Sequence, residues 1–118
     1  MTTDDLLNTI KNHPDKVSFE DVMAYITEHY HYSHARFTNG INHDTVINEA
    51  GTNEGSCKIF AFGEITGLTE AETLACFGQY YRDEVLNDPH GDSHANIRSF
   101  VKHGWQGIKF DQPALEKK

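Results

Sequence analysis

The strongest constraint on the fold is a helix signal at residues 69–86. Thr69 followed by Glu72 forms a capping box, in which each side chain accepts a hydrogen bond from the other residue's backbone N–H. Four apolar residues then recur at helical spacing: Leu74, Phe77, Tyr81 and Val85. The pattern predicts a central helix over 70–86. Gly78 lies inside it at a cost of about 1 kcal/mol relative to alanine, so we expect another backbone segment to approach closely there.

Three more helices are predicted from a capping residue followed by apolar residues at helical spacing: 3–12 with Thr3, 19–30 with Ser18, and 94–103 with Ser93. The hydroxyl of such a cap accepts a hydrogen bond from a first-turn N–H that has no partner inside the helix. We expect Gly104 to end the last helix in a left-handed conformation, so that Trp105 packs back on Phe100.

The run SCKIFAFGEI, residues 56–65, is compatible with a buried strand or a buried helix. Periodicity does not separate the two over so few residues. Ser56 directly after Gly55 resembles an N-cap, which favours a helix over 57–66.

Residues 31–55 are rich in Asn, Gly, His and Thr and predict a long irregular loop. Loops of this length are usually functional or packed on themselves. We expect one small two-stranded antiparallel element at most, with GIKFD (107–111) pairing with ARFTN (35–39), and a tail at 113–118 that frays. The predicted fold is α+β and mostly helical, with about five short helices around the central one in a single domain, 1–118.

The formal net charge of −8 disfavours some partners. Only 10 of the 118 residues are Lys or Arg, against 18 Asp or Glu. Nucleic-acid binding and binding to anionic membrane surfaces both start from a basic patch, so neither is expected. The N-terminus lacks the features of a secretory signal peptide, and the two cysteines, Cys57 and Cys76, are expected as reduced thiols in a cytoplasm.

Four segments together resemble the HopJ family of type III effector proteins: FTNG at 37–40, NEAGTNEGSCKIFAFG at 48–63, GLTEAETLACFGQYYRDEVL at 67–86 and HANIRSFVKHGWQGIKF at 94–110. The resemblance runs from about residue 3 to 112. It implies a bacterial protein delivered into a host cell by type III secretion, or one that works in the bacterial cytoplasm. The family has no established reaction, so it transfers no catalytic residues to this chain.

The glycine-rich stretch at 48–63 raises the question of a phosphate loop. A P-loop needs G-x-x-x-x-G-K-[ST], whereas the spacing from Gly51 to Gly55 is one residue short and Lys58 is displaced by two. Glu49 and Glu54 also oppose a phosphate. Nucleotide binding is therefore not expected.

Cys57 is the candidate nucleophile. At the start of a predicted helix and next to Lys58, its pKa should fall and its thiolate fraction should rise. A histidine would complete the pair, and His94 is the candidate partner. The alternative is a small buried residue that begins an apolar helix, as free cysteine often is.

Metal binding is a further hypothesis. His29, His31 and His34 lie within HYHYSH, and imidazole suits zinc, copper or nickel. A second cluster contains His90, Asp92 and His94. The alternative for both clusters is exposed or capping histidines, and the spacing puts the first three on no common face. No metal or other cofactor is predicted.

The last candidate is a polar pocket for a small ligand. Eight residues are the candidate ligand-binding set: Asn48, Glu49, Asn53, Lys58, Tyr80, Tyr81, Arg82 and Trp105. Arg82 is expected to pair with Glu49 or to bind an anionic group. The alternative is that these groups only hold the loop 31–55 in place. We expect a non-enzymatic protein that binds a host protein or a small ligand, with a cysteine enzyme or a metal-binding protein as alternatives.

Overall fold

The computed structural model describes residues 3–118, excluding the side chains of residues 3 and 4. Its α-helices are α1 (Thr3–Asn12), α2 (Phe19–His29), α3 (Glu54–Thr66), α4 (Glu70–Ala75) and α5 (Ala95–His103). Its strands are β1 (Tyr30–Tyr32), β2 (Phe37–Asn39), β3 (Val46–Asn48), β4 (Ile108–Phe110) and β5 (Leu115–Lys117). Tyr80–Val85 is a π-helix, and single 3₁₀ turns lie at Pro14–Lys16, Asn42–Asp44 and Gly104–Gly107. The mostly helical α+β class is confirmed.

The core is built around α3. Its side chains are buried nearly all round, and Phe60 makes ring contacts with four other aromatic residues: Phe37, Phe77, Phe100 and Trp105. A helix that is apolar on all faces is enclosed by the rest of the protein. The helix predicted over 57–66 is thus confirmed, but it begins three residues earlier. Asn53 in the left-handed conformation precedes it, and Ser56 is not its cap.

The sheets are larger than predicted. β4 pairs with β2 as expected, with Phe110 opposite Phe37, but β3 pairs with the other side of β2. The segment 31–55 is therefore not an irregular loop, because it contains strands and one 3₁₀ turn. Strands of three residues are too short to show a periodicity of two in the sequence.

A second, two-stranded sheet forms where fraying was predicted. β5 pairs with β1, placing Leu115 opposite Tyr32. Ala114 and Leu115 are 2% and 5% exposed. The prediction for residues 113–118 is wrong because these two apolar side chains join the core and the strand follows them.

The central helix predicted over 70–86 is broken at Gly78. The capping box of Thr69 and Glu72 is confirmed, but Gly78 has φ +58, and a Cβ there would lie 2.6 Å from the backbone nitrogen of Phe19. The predicted close approach is real, and the backbone turns aside to allow it. Beyond Gly78 the chain continues as the π-helix.

The other helix ends agree in part. Ser18 accepts a hydrogen bond from the N–H of Asp21 and begins α2 as predicted. Ser93 does not cap α5, which follows His94 in a left-handed conformation. Trp105 packs edge-to-face on Phe100 at 5.0 Å between ring centroids after a positive φ at Gly104. The predicted cap Thr3 has a side chain outside the described residues.

Among residues 3–118, no helix has both the length and the apolar character that crossing a membrane requires.

Gly78→Ala should lower the free energy of unfolding by about 2–4 kcal/mol, since the new Cβ is strained at positive φ and meets the Phe19 backbone. Urea unfolding followed by circular dichroism measures this. Gly67→Ala is the matched control, because Gly67 also has positive φ (+70) but open space around it. Equal losses in the two variants would contradict the close-contact account.

Candidate functional site

Three buried asparagines, Asn39, Asn48 and Asn96, form a hydrogen-bonded network that the exposed Asn53 joins at the surface. Asn48 is its centre: its Oδ1 accepts from Asn53 Nδ2 at 2.7 Å and from Asn96 Nδ2 at 2.8 Å. Its own Nδ2 donates to Asn96 Oδ1 at 3.1 Å and, at 3.4 Å, to the carbonyl oxygens of Phe37 and Val46. Asn48 thus links β2, β3, α5 and the residue before α3.

Asn39 extends this network from the other strand. Its Nδ2 donates to the carbonyl oxygen of Asn96 at 2.8 Å and to Asn96 Oδ1 at 3.1 Å. Ser99 Oγ donates to the carbonyl oxygen of Asn39. Asn39 Oδ1 is buried and has no hydrogen-bond partner among residues 3–118. A hydrogen-bond network of this kind fixes the relative positions of the elements that it joins.

A cleft of about 460 Å³ opens beside the network. Small-molecule sites usually have volumes of roughly 300–1,000 Å³. Its lining residues come from α2, β3, α3, α5 and the segment after α4: Phe19, Val46, Asn53, Gly55, Ser56, Phe77, Tyr80, His94, Ala95, Asn96 and Ile97.

Two helix starts meet at this cleft. Asn53 before α3 and His94 before α5 both have left-handed backbone, with φ of 48° and 54°. Neither side chain caps its own helix. The Asn53 side chain instead reaches Asn48, and that of His94 reaches Glu84. The first-turn N–H groups of both helices are therefore left without a side-chain acceptor.

Aromatic rings form one wall of the cleft. Phe19 meets Tyr80 edge-to-face at 5.1 Å, and the Tyr80 and His94 rings lie 5.5 Å apart. His94 Nε2 lies 3.0 Å from Glu84 Oε1. Tyr80 begins the π-helix, in which the N–H of Leu86 bonds the carbonyl oxygen of Tyr81. Single-turn π-helices recur at functional sites.

Two hydroxyls in the cleft are free. Within residues 3–118, neither Ser56 Oγ nor Tyr80 Oη makes a hydrogen bond. Both residues are partly exposed. Asn96 is different: it is 6% exposed and its amide is fully used in the network. The groups available to a ligand are therefore the hydroxyls, the rings and the backbone N–H groups.

The structure brings together only part of the predicted ligand-binding set. Asn53 and Tyr80 line the cleft, and Asn48 supports it from behind. The five other members of the set form contacts elsewhere, and each is described next.

The predicted pairing of Arg82 with Glu49 is wrong. Arg82 donates to the carbonyl oxygens of Val17 and Pro14, at 2.8 and 3.2 Å, and so holds the turn before α2. Glu49 pairs with Arg36 at 2.8 Å. Arg82 therefore has a structural role that its neighbours in the sequence do not indicate.

Lys58, Tyr81 and Trp105 also lie outside the cleft lining. The Lys58 ammonium lies 4.7 Å from the centroid of the Tyr32 ring. Trp105 Nε1 donates to the carbonyl oxygen of Leu68 at 3.0 Å, and Tyr81 packs against the core.

Cys57 is buried, with 1% exposure, and lies behind the cleft rather than in it. Burial raises the pKa of the Cys57 thiol, so the predicted fall is wrong. Its Sγ is 3.8 Å from the carbonyl oxygen of Ala35. The proposed partner, His94, pairs with Glu84 instead. The helix begins at Glu54, which takes Cys57 out of the first turn and removes the expected effect of the helix dipole.

The candidate metal ligands do not converge. His29 stacks on Tyr25, His31 is exposed on β1, and His34 pairs with Glu54 at 2.9 Å. Residues 3–118 contain no group of three or more His, Cys, Asp or Glu side chains that could hold a metal ion, which also covers His90 and Asp92.

A family model of the HopJ type III effector protein matches residues 3–115. The chain belongs to the HopJ family. It is also similar to the crystal structure of VPA0580, a protein of unknown function, with 44% sequence identity and a TM-score of 0.94. That similarity covers 100% of this chain and 95% of the other. No curated protein matches the chain significantly.

Sequence reasoning missed the apolar half of the HopJ cleft. The sequence pattern places Phe77 on the apolar face of the predicted central helix, and nothing in the pattern marks Phe19, Val46, Ala95 or Ile97 as lining a cleft. The interruption at Gly78 is what brings Phe19 beside Tyr80. Such contacts join distant parts of the chain, so no local pattern in the sequence reveals them.

Asn48→Ala should lower the free energy of unfolding by about 2–4 kcal/mol, because it leaves the Nδ2 group of the buried Asn96 amide without an acceptor. Asn48→Asp keeps the shape but places an oxygen against the Phe37 and Asn96 oxygens, and should cost at least as much at pH 7. Urea unfolding measures both. Asn87→Ala, at an exposed turn position, is the control and should change stability by under about 0.5 kcal/mol. A loss no larger at Asn48 than at Asn87 would contradict the role of the network.

The two thiols should be unreactive in the folded protein. Burial raises the pKa of Cys57, and raises that of Cys76 to about 12, so the thiolate that reacts is scarce near pH 8. Ellman's reagent should titrate both cysteines in guanidinium chloride and neither, on the same timescale, in buffer. A rapidly reacting native thiol that is lost in Cys57→Ala but kept in Cys76→Ala would restore Cys57 as a candidate nucleophile.

Proposed function

We propose that this HopJ-family protein is a non-enzymatic binding protein that holds a small molecule in the cleft between α2, α3 and α5. One observation carries the proposal: a cleft of about 460 Å³ combines aromatic walls with hydroxyl and N–H groups that have no protein partner. Polar groups that merely held the loop in place would be hydrogen-bonded within the protein, as both amide atoms of Asn48 and of Asn96 are.

A binding role is favoured over catalysis by what the cleft contains. Its side chains with nucleophilic or basic atoms are those of Ser56, Tyr80 and His94, and within residues 3–118 no hydrogen bond joins any two of them. Nucleophilic catalysis needs such a contact. Cys57, the other candidate, is buried.

We also propose, from the family description alone, that the protein acts as a type III effector made in the bacterial cytoplasm and delivered into a host cell. The net charge of −8 supports a partner that is neither a nucleic acid nor an anionic membrane. The family description also makes a host protein a candidate partner, and the negative net charge does not disfavour it.

Blocking the cleft should abolish binding. Ala95 is exposed, lines the cleft and lies in the first turn of α5, so Ala95→Phe fills the space without entering the core. A small-molecule fragment collection is first screened by saturation-transfer NMR, which detects the fragments that bind. In two-dimensional amide spectra of the protein, these hits should shift the signals of residues lining the cleft, and Ala95→Phe should remove the shifts.

Ala71→Phe is the matched control, since Ala71 is exposed in the first turn of α4 and does not line the cleft. Its spectrum with the same fragments should resemble that of the unmodified protein. Hits that map outside the cleft, or the absence of hits, would refute the binding proposal.

Delivery is tested separately. A fusion of this chain to a calmodulin-dependent cyclase reporter, expressed in bacteria with a working type III apparatus, should raise cyclic AMP in contacted host cells. A strain that lacks the secretion ATPase is the control. A fusion retained equally by both strains would argue against the effector role.

A further inference from the structure

Resting on the proposed function, the geometry points to the ligand's class: we infer that the cleft takes an uncharged planar ring with a hydrogen-bonding edge. Three properties of the lining lead to this class: the arrangement of its rings, the absence of charged side chains and the position of its free polar groups.

The rings are arranged to hold another flat ring. Phe19 and Tyr80 meet at 81° between ring planes, and the His94 ring is tilted by 43° to that of Tyr80. Phe77 adds a fourth ring to the lining. Aromatic pairs prefer edge-to-face and offset-stacked contacts, which are worth about 0.5–1.5 kcal/mol beyond the area buried. A saturated ring of equal size would gain the buried area alone.

The charge of the cleft disfavours an ionic ligand. No Asp, Glu, Lys or Arg side chain belongs to the lining residues of the described chain. Carboxylates adjoin the lining at Glu20, Glu54 and Glu84. Glu54 and Glu84 are paired with His34 and His94, and Glu20 accepts a hydrogen bond from Gln79. A carboxylate or phosphate ligand would meet these negative groups and a chain of net charge −8, with only the partial positive charge of the two helix starts, and no cationic side chain of the lining, to offset them. A cationic ligand would lack a counter-ion within the cleft.

The free polar groups suit the edge of a heteroaromatic ring. Ser56 and Tyr80 each offer a hydroxyl that both donates and accepts. The Glu84 carboxylate accepts from His94 Nε2, which in the neutral ring leaves Nδ1 as an acceptor. These groups can pair with an amide or ring nitrogen, and they require no charge on the ligand.

Three probes of similar size separate the features of this class. Nicotinamide is neutral and planar, nicotinate has the same ring with a negative charge at pH 7, and cyclohexanecarboxamide is neutral without the aromatic ring. Titrations followed by two-dimensional amide NMR should show nicotinamide shifting the signals of Gly55, Ser56 and Ala95. Its dissociation constant should be about tenfold lower than that of cyclohexanecarboxamide, since one stacked ring accounts for about that factor. It should also be lower than that of nicotinate, because no cationic side chain in the lining offsets the charge of nicotinate.

Two variants locate the effect. Tyr80→Leu should weaken nicotinamide binding about tenfold while Tyr81→Leu, a partly buried tyrosine outside the lining, should leave it unchanged. Both remove an aromatic ring of the same kind, so a general loss of folding would affect both.

The outcomes distinguish this inference from the proposed function. Nicotinate binding as tightly as nicotinamide would overturn the uncharged class, and cyclohexanecarboxamide binding as tightly would overturn the planar ring. If none of the three probes shifts the cleft signals while other fragments do, the ligand class is wrong and the binding function stands. If no fragment of any kind shifts them, the binding function itself fails.

Discussion

The hydrogen bonds around the Asn48 amide hold the site in shape. Two of them reach Asn96 and one comes from Asn53, so a single side chain fixes where α3 and α5 begin. All of these groups would be costly to bury alone, and each removes the cost for the others. The apolar core around Phe60 stabilises the fold, but an apolar core is non-directional. The directional hydrogen bonds of the asparagines hold β2, β3 and the starts of α3 and α5 in one relative arrangement.

The cleft exists because the network uses side chains that would otherwise cap helices. Asparagine is a good N-cap, yet Asn53 turns its amide to Asn48, and the left-handed backbone at Asn53 accompanies that choice. His94 behaves alike with Glu84. Within residues 3–118, the backbone N–H donors of two helix starts are thus left without side-chain acceptors, next to the four rings of the cleft. Within residues 3–118, a buried network whose amide groups are nearly all hydrogen-bonded lies next to a cleft whose hydroxyl and N–H groups lack side-chain partners. This contrast is the physical basis for the binding function that we propose for the cleft.

Much of the fold could be predicted where the signal is local. Ser18 and the Thr69–Glu72 box each act within four residues, and both are as the sequence indicates. The start of α3 could not be predicted from Ser56. Asn53, which precedes the helix, turns its side chain to Asn48, and Asn48 is held in place by Asn96, 48 residues further along the chain. β5 likewise depends on Leu115 meeting a core that residues 113–118 do not reveal. In the candidate site, the polar residues Asn53 and Tyr80 stood out by type, whereas Phe19 joined them only through the break at Gly78.

Because of the break at Gly78, one contact between α2 and the π-helix supports both the fold and the wall of the cleft. The Gly78 backbone touches the chain at Phe19, and the Phe19 ring packs edge-to-face against Tyr80 in the wall of the cleft. The cleft cannot be widened at this wall without loosening the joint between α2 and the π-helix. Its opposite rim is under no such constraint, since Ala95 is exposed. For the ligand binding that we propose, substitutions at Ala95 could therefore change which ligand fits without disturbing the fold, while the ring wall stays as folding requires.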